Sequence, residues 1–315
     1  MKKPDFEIKV RFKGRYRLVV NEGTERERDT GWFDNIVTDI GLDRLAQATS
    51  PQVFAWASIG TGTALASASD TSLQAFVADS STLSLDSQSN LGPSDYLGHM
   101  QAHYTYAQGA VVGNMAEVGI GWASGGGSLW SRARIEYGGS PTTLTLISLD
   151  QLTVYYELTC TPVTTDISGT VTISSVDYDY QGRLANAASF MAALFSALNS
   201  SGVEWGQIIG GGGGSSSLVA KSYQASSTLG AITGEPSGSS ETSGSSTVAS
   251  YTNGTFVRDS TMTLTPSQGN LSGGIGCILL NYTATSMTFQ YHFDTPIPKD
   301  NTKTLTLTAR FSWGR

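Results

Sequence analysis

The amino-acid sequence predicts a mainly β fold of two tandem β-sandwich-like modules, each with a short helix, and three observations carry that expectation. Charged residues are only 14% of the chain while apolar residues reach 39%, and soluble domains ordinarily carry roughly 25% charge. Serine, threonine and glycine fill the difference, which suits strands joined by many turns. Long stretches alternate polar and apolar residues with the period of two that buries one strand face. Finally, the order of segments in the first half recurs in the second, the signature of a duplicated module. At 315 residues the chain can bury a substantial core.

Three units follow: an N-terminal β-hairpin over 1–33, a first sandwich-like module over 34–166 and a second, repeat-related one over 167–315. The hairpin is read from FEIKVRFKGRYRLVV, with Asn21-Glu22-Gly23 as its turn. Its basic run, KVRFKGRYR at 9–17, alternates with apolar residues and so reads as a solvated strand face. In the first module GLDRLAQA is a short helix, and VFAWASIG is a strand running into a glycine turn. Ser69-Asp70 offers a cap for the following turn, and 80–97 reads as a serine-rich loop. Strands follow in HMQAHYTYAQGAVV, AEVGIGWA, LWSRARIEY and LTLISLDQLTVYYELTC, before a connector at 161–166.

The second module opens with a strand pair in DISGTVTISSVDYDYQG. A helix is expected in LANAASFMAALFSALNSSG, with Leu184, Ala188, Met191, Leu194, Phe195 and Leu198 on one stripe. Segment 203–225 then parallels 53–77, 251–282 parallels 106–137, and 293–315 parallels 137–160.

Several chemistries find little support. A net charge of -7 argues against a nucleic-acid groove, which needs clustered cations. Cys160 and Cys277 are far apart and make no metal-type spacing, although a single disulfide stays open. No apolar run of about 18 residues suggests a membrane span, and MKKPDFEIKV lacks a secretory core. IGTGTAL lacks the third glycine of a dinucleotide fingerprint, and GGGGGSSSL lacks the Lys-Ser or Lys-Thr of a phosphate loop. His99 and His103 share a face but have no third metal ligand beyond a nearby Asp95. Asp177 and Asp179 form the best carboxylate pair for glycoside hydrolysis, yet period-two spacing puts both on a solvent face. No GxSxG elbow is present. The expectation is therefore no catalytic, cofactor-binding or metal-binding residue.

The stretch VGNMAEVGIGWASGGGSLWSR at 112–132 is the densest in unusual residues. As a strand, it puts Glu117, Gly119 and Gly121 on one face, and bare glycines invite close packing by another strand layer or by a large ring such as Trp32, Trp56 or Trp130. Glu117 and Arg132 then lie on adjacent strands and can pair across the ladder.

At these residues the chain resembles a group of tailed-bacteriophage virion structural proteins found in tails, baseplates and tail fibres. The matching positions are Asn35, Ile36, Val37, Thr38, Gly41, Leu42, Asp43, Gly60, Gly62, Asp70, Thr71, Leu73, Glu117, Gly119, Trp130, Arg132 and Ala133. The resemblance covers about residues 6–158 and reaches the second half only through the repeat, where GGIGCILL replaces the acidic-Val-Gly element. It implies a non-enzymatic virion component of the tail, baseplate or neck, made in the host cytoplasm without a signal peptide. Such a protein acts as an oligomeric adaptor or fibre-attachment part, its partners being other virion proteins and copies of itself, with no cofactor, nucleic acid or membrane. A host-receptor or glycan-binding tail-tip protein is the alternative, using Tyr96, Tyr104, Tyr106, Tyr178 and Tyr180. A capsid decoration protein and a glycan depolymerase are further readings.

Overall fold

The computed structural model describes residues 5–46, 53–91, 97–187, 218–243, 245–282 and 287–315. Strands in the first half are β1 (Phe6–Val20), β2 (Arg28–Asp29), β3 (Phe33–Asp34), β4 (Ile36–Val37), β5 (Trp56–Gly60), β6 (Phe76–Ser80), β7 (Leu83–Leu91), β8 (Leu97–Thr105), β9 (Gly113–Met115), β10 (Glu117–Gly121), β11 (Leu129–Arg134), β12 (Glu136–Tyr137), β13 (Ser140–Pro141), β14 (Leu144–Leu146) and β15 (Leu152–Pro162). The helix α1 (Asp39–Arg44) follows β4. The second half adds β16 (Ile167–Ile173), β17 (Val176–Ala185), β18 (Leu218–Gln224), β19 (Ser240–Ser243), β20 (Ser245–Val248), β21 (Val257–Leu264), β22 (Ile275–Tyr282), β23 (Met287–Ile297) and β24 (Leu305–Gly314). The fold is mainly β, arranged as layered sheets.

One long sheet runs β20-β21-β24-β1-β15-β8-β7, with β2 and β3 also pairing to β1. Two shorter sheets lie against it. The first has the order β4-β11-β10-β5-β6; the second has β17-β23-β22-β18-β19, with β16 outside β17. Ranked by position in the chain, the strands follow the same 1-5-4-2-3 order in both. The long sheet matches too, since β7-β8-β15 and β20-β21-β24 form its two arms, while the two-stranded pairs β12-β13 and β9-β14 belong to the first half. Strand β15 runs antiparallel to β1 and β24 runs parallel to it. The two arms therefore point in opposite directions, as a two-fold axis through β1 and normal to the sheet would place them.

Strand β1 is the seam because its alternation is nearly perfect. Phe6, Ile8, Val10, Phe12, Tyr16 and Leu18 are buried, while Glu7, Lys9, Arg11 and Lys13 face solvent. Its N-terminal part packs on the second short sheet, with the Phe6 ring 4.3 Å from Tyr291 and 5.3 Å from Tyr180. Its C-terminal part packs on the first: Phe12 meets Trp130 edge-on at 5.8 Å, and the Tyr16 and Ser131 hydroxyls lie 2.6 Å apart. One apolar core consequently runs through both halves, beside a small separate cluster of Ala185, Tyr223, Cys277 and Leu279, each large buried side chain contributing about 1.5–3 kcal/mol.

Several expectations change. Residues 6–33 are not a separate hairpin unit: the Asn21–Gly23 turn forms, with positive φ at both ends, but β2 is short and β15 and β24 occupy most of β1. Within the serine-rich stretch at 80–97, residues 83–91 form strand β7, because pairing to β8 outweighs the weak strand propensity of serine. The first-half helix spans Asp39–Arg44, earlier than GLDRLAQA suggests, since Thr38 caps it by accepting from Gly41 N–H at 3.0 Å. Residues 184–185, expected to start a helix, end strand β17 instead, and the chain turns helical at Ala187; residues 188–202 of that expected helix and the 203–217 part of the expected repeat lie outside the described residues. The repeat itself falls in another register. Strand β18 takes the place of β5, β22 that of β10, and β23 that of β11.

Candidate functional site

The residues singled out around 112–132 converge in the first short sheet. Glu117 is fully buried. Its carboxylate accepts from the backbone N–H groups of Gly62 at 3.1 Å, Gln74 at 3.0 Å and Ala75 at 2.7 Å. Arg132, also buried, donates to it from Nε at 2.9 Å and lies 2.8 Å away through a terminal nitrogen. In register Arg132 faces Gly119 while Glu117 faces Arg134, so the ion pair is a diagonal across the ladder. Gly119 has no side chain to obstruct that diagonal.

Arg132 also reaches outward. It donates to the Asp70 carboxylate at 2.6 Å and to the carbonyls of Ala64 at 3.1 Å and Leu65 at 3.3 Å. Asp70 in turn caps its own turn by accepting from Ser67 N–H at 2.8 Å. Together these bonds tie loop 61–75, between β5 and β6, to the sheet at both of its ends and at its tip. Burial works to lower the Arg132 pKa, and the hydrogen bonds it donates to Asp70 and Glu117 overcome it, leaving the guanidinium above its ordinary value.

The glycines explain the fit. A Cβ on Gly60 or Gly62 would come within 2.6 Å or 2.4 Å of the Glu117 Oε1. On Gly119 it would meet Leu129 at 2.8 Å and Leu73 at 3.1 Å. Leucines therefore cover that glycine, rather than one of the tryptophan rings offered as an alternative to a strand layer.

Other motif residues hold the layers together. A Cβ on Gly41 would sit 2.6 Å from the Trp130 carbonyl oxygen, so α1 lies directly on the β11 backbone. Trp130 donates from Nε1 to the Tyr156 hydroxyl at 2.7 Å. Asn35 reaches the same hydroxyl weakly, at 3.5 Å. Asp43 accepts from the Tyr251 hydroxyl and from Gly254 N–H at 2.7 Å, and Trp313 Nε1 donates to the Leu42 carbonyl at 2.9 Å. The motif thus also joins the two halves.

The second half ties its matching loop differently. Loop 225–239 lies between β18 and β19 and equals 61–75 in length. By pairing, Ile275 stands where Glu117 does, since each faces the last residue of its neighbouring strand. The loop is held instead by buried Gln290 on β23, which accepts from Gly230 N–H at 2.7 Å and donates to the Gly230 and Ala231 carbonyls, each at 3.2 Å. Glu235 within the loop accepts from Tyr223 at 2.8 Å, Lys221 at 3.0 Å and Asn186 at 3.0 Å. Burial pushes the Glu235 pKa up, but those donors hold it below the ordinary value. None of these five side chains carries a sequence signal, because their meaning depends on a loop that only the fold brings back.

The remaining candidates separate. Asp177 and Asp179 are exposed, each accepting from a cross-strand threonine, Thr172 and Thr170 respectively, at 2.6 Å. Tyr104, Tyr106, Tyr178 and Tyr180 are buried, and Tyr96 lies outside the described residues. His99 and His103 gain partners that spacing did not reveal: His99 Nε2 is 2.9 Å from Glu157, and His103 Nδ1 is 2.5 Å from Asp86. Both cysteines are free and buried, and burial raises the Cys277 thiol to about 12. Among the described residues no three metal-ligating side chains converge. Comparison with protein-family models, curated proteins and solved structures gives no match.

Proposed function

We propose that this chain is a non-enzymatic structural component of a tailed-phage virion, placed in the tail, baseplate or neck as an oligomeric adaptor or fibre-attachment protein. One observation carries the reading. The residues of the resemblance, Gly60, Gly62, Asp70, Glu117, Gly119 and Arg132, meet in one network whose hydrogen bonds go to loop backbone and to one another. A catalytic carboxylate needs reach to a substrate, whereas Glu117 is enclosed and saturated. The network instead fixes the shape of a surface loop whose tip exposes Leu65 to 72%, and a fixed loop loses little entropy on docking.

A receptor-binding role based on stacking tyrosines has less support, since four of the five proposed rings lie in the core. The reading is tested by sedimenting particles from a lysate of cells producing the phage that encodes this chain, then identifying the chain by mass spectrometry. It is expected in the infectious particle fraction at a fixed ratio to other virion proteins. Recovery only in the soluble fraction would exclude it.

A further inference from the structure

Strands β6 and β7 are the outer strands of two different layers, the first short sheet and the long sheet. They are consecutive in the chain and open on the same flank. Among the described residues no strand pairs with the outer side of either, and an open row of backbone donors and acceptors is completed by another strand. Natural edges are usually protected by lysine, by proline or by a covering segment. Between Phe76 and Leu91 there is no Lys, Arg or Pro. Instead Phe76, Val77, Leu83 and Leu85 stand 37–42% exposed along the two strands. The two carboxylates there are already engaged, Asp79 with Gly125 N–H and Asp86 with His103.

The opposite flank differs. Its strands, β19 and β20, read SETS and SSTV, so head-to-tail contact would set an apolar edge against a hydroxyl-rich one. Contact of the apolar edge with itself matches apolar to apolar. A two-fold axis normal to the sheets also makes β7 antiparallel to its counterpart, the geometry of a regular ladder. The bulge between Leu85 and Ser87 shifts the register of β7, which centres the contact on residues 76–85.

From this the geometry points to a homodimer formed through the β6 and β7 edges, a second copy of this chain extending both layers across a two-fold axis. The inference rests on the assembly reading above and names its surface. It fails separately from it, because the tests use purified protein in solution.

Sedimentation equilibrium of the full chain is expected to give twice the monomer mass of 33.2 kDa. The double variant Val77→Lys, Leu85→Lys should weaken self-association about 100-fold or more. Val112→Lys with Ile147→Lys, exposed residues elsewhere, should leave it unchanged. Because both native thiols are buried, Ser84→Cys gives a selective cross-link: it should form a disulfide dimer on mild oxidation, while Thr247→Cys on the other flank should not. A monomeric wild-type chain, a double variant that associates as tightly as wild type, or cross-linking at Thr247→Cys but not at Ser84→Cys would each overturn the proposal. The cross-link keeps the test decisive if the double variant fails to fold.

Discussion

Glu117→Gln is the perturbation that most sharply tests the buried network. The carboxylate accepts three backbone N–H bonds from loop 61–75 and pairs with Arg132, all at 2.7–3.1 Å and without solvent. A carboxamide keeps the shape but turns one acceptor into a donor. That NH2 group then faces either the Arg132 guanidinium or the loop N–H groups, and Arg132 stays buried with only Asp70 as counter-charge. Removing one member of a buried ion pair costs about 3–5 kcal/mol, and leaving a backbone donor unsatisfied costs about 1–3 kcal/mol. The loop can admit water, so the lower part of the range applies, at about 3 kcal/mol. Urea denaturation measures the loss, and hydrogen exchange should show the Gly62, Gln74 and Ala75 amides losing protection first. In the second half Gln290→Ala should cost about 1–3 kcal/mol, since it removes only neutral bonds. If Glu117→Gln unfolds at the wild-type midpoint with those amides still protected, the network does not hold the loop.

Two further outcomes follow from close packing and from buried phenols. Gly41→Ala should destabilise by about 1–3 kcal/mol despite its better helix propensity, because the new methyl meets the Trp130 backbone at 2.6 Å; an unchanged melting temperature would contradict that contact. Burial raises Tyr16 and Tyr104 well above the ordinary value and Tyr156 to about 12. These groups are neutral in the fold and ionise near pH 10 once unfolded. Stability is therefore fully present below pH 10 and is lost as pH rises toward 12, by about 1.4 kcal/mol per pH unit for each tyrosine. Tyrosinate absorbance from these core rings should appear only together with loss of circular dichroism. Complete ionisation with the fold intact would refute the burial.

The β class, the Asn21–Gly23 turn and the inward face of β1 were legible because period two acts locally. The Glu117–Arg132 pair was also legible, since a glycine-bearing hairpin sets the two side chains on neighbouring strands. What stayed hidden depends on long-range pairing. Nothing in the spacing of Phe6–Val20 says that β24, some three hundred residues later, will lie parallel to it. Serine-rich 83–91 becomes a strand only because β8 lies beside it, and Asp43 meets Tyr251 only because the second half folds back over α1. The repeat was misaligned for a related reason. Glycine-rich turns look alike in sequence, whereas the true correspondence is set by which strand pairs with which.

The proposed structural role in a phage particle is tested most directly by an electron-microscopy reconstruction of that particle. The described strands should fit density in the tail, baseplate or neck, with loop 61–75 or the β6 and β7 edge in contact with a neighbouring subunit. Particles whose density is fully explained by other proteins, with this chain absent, would contradict it.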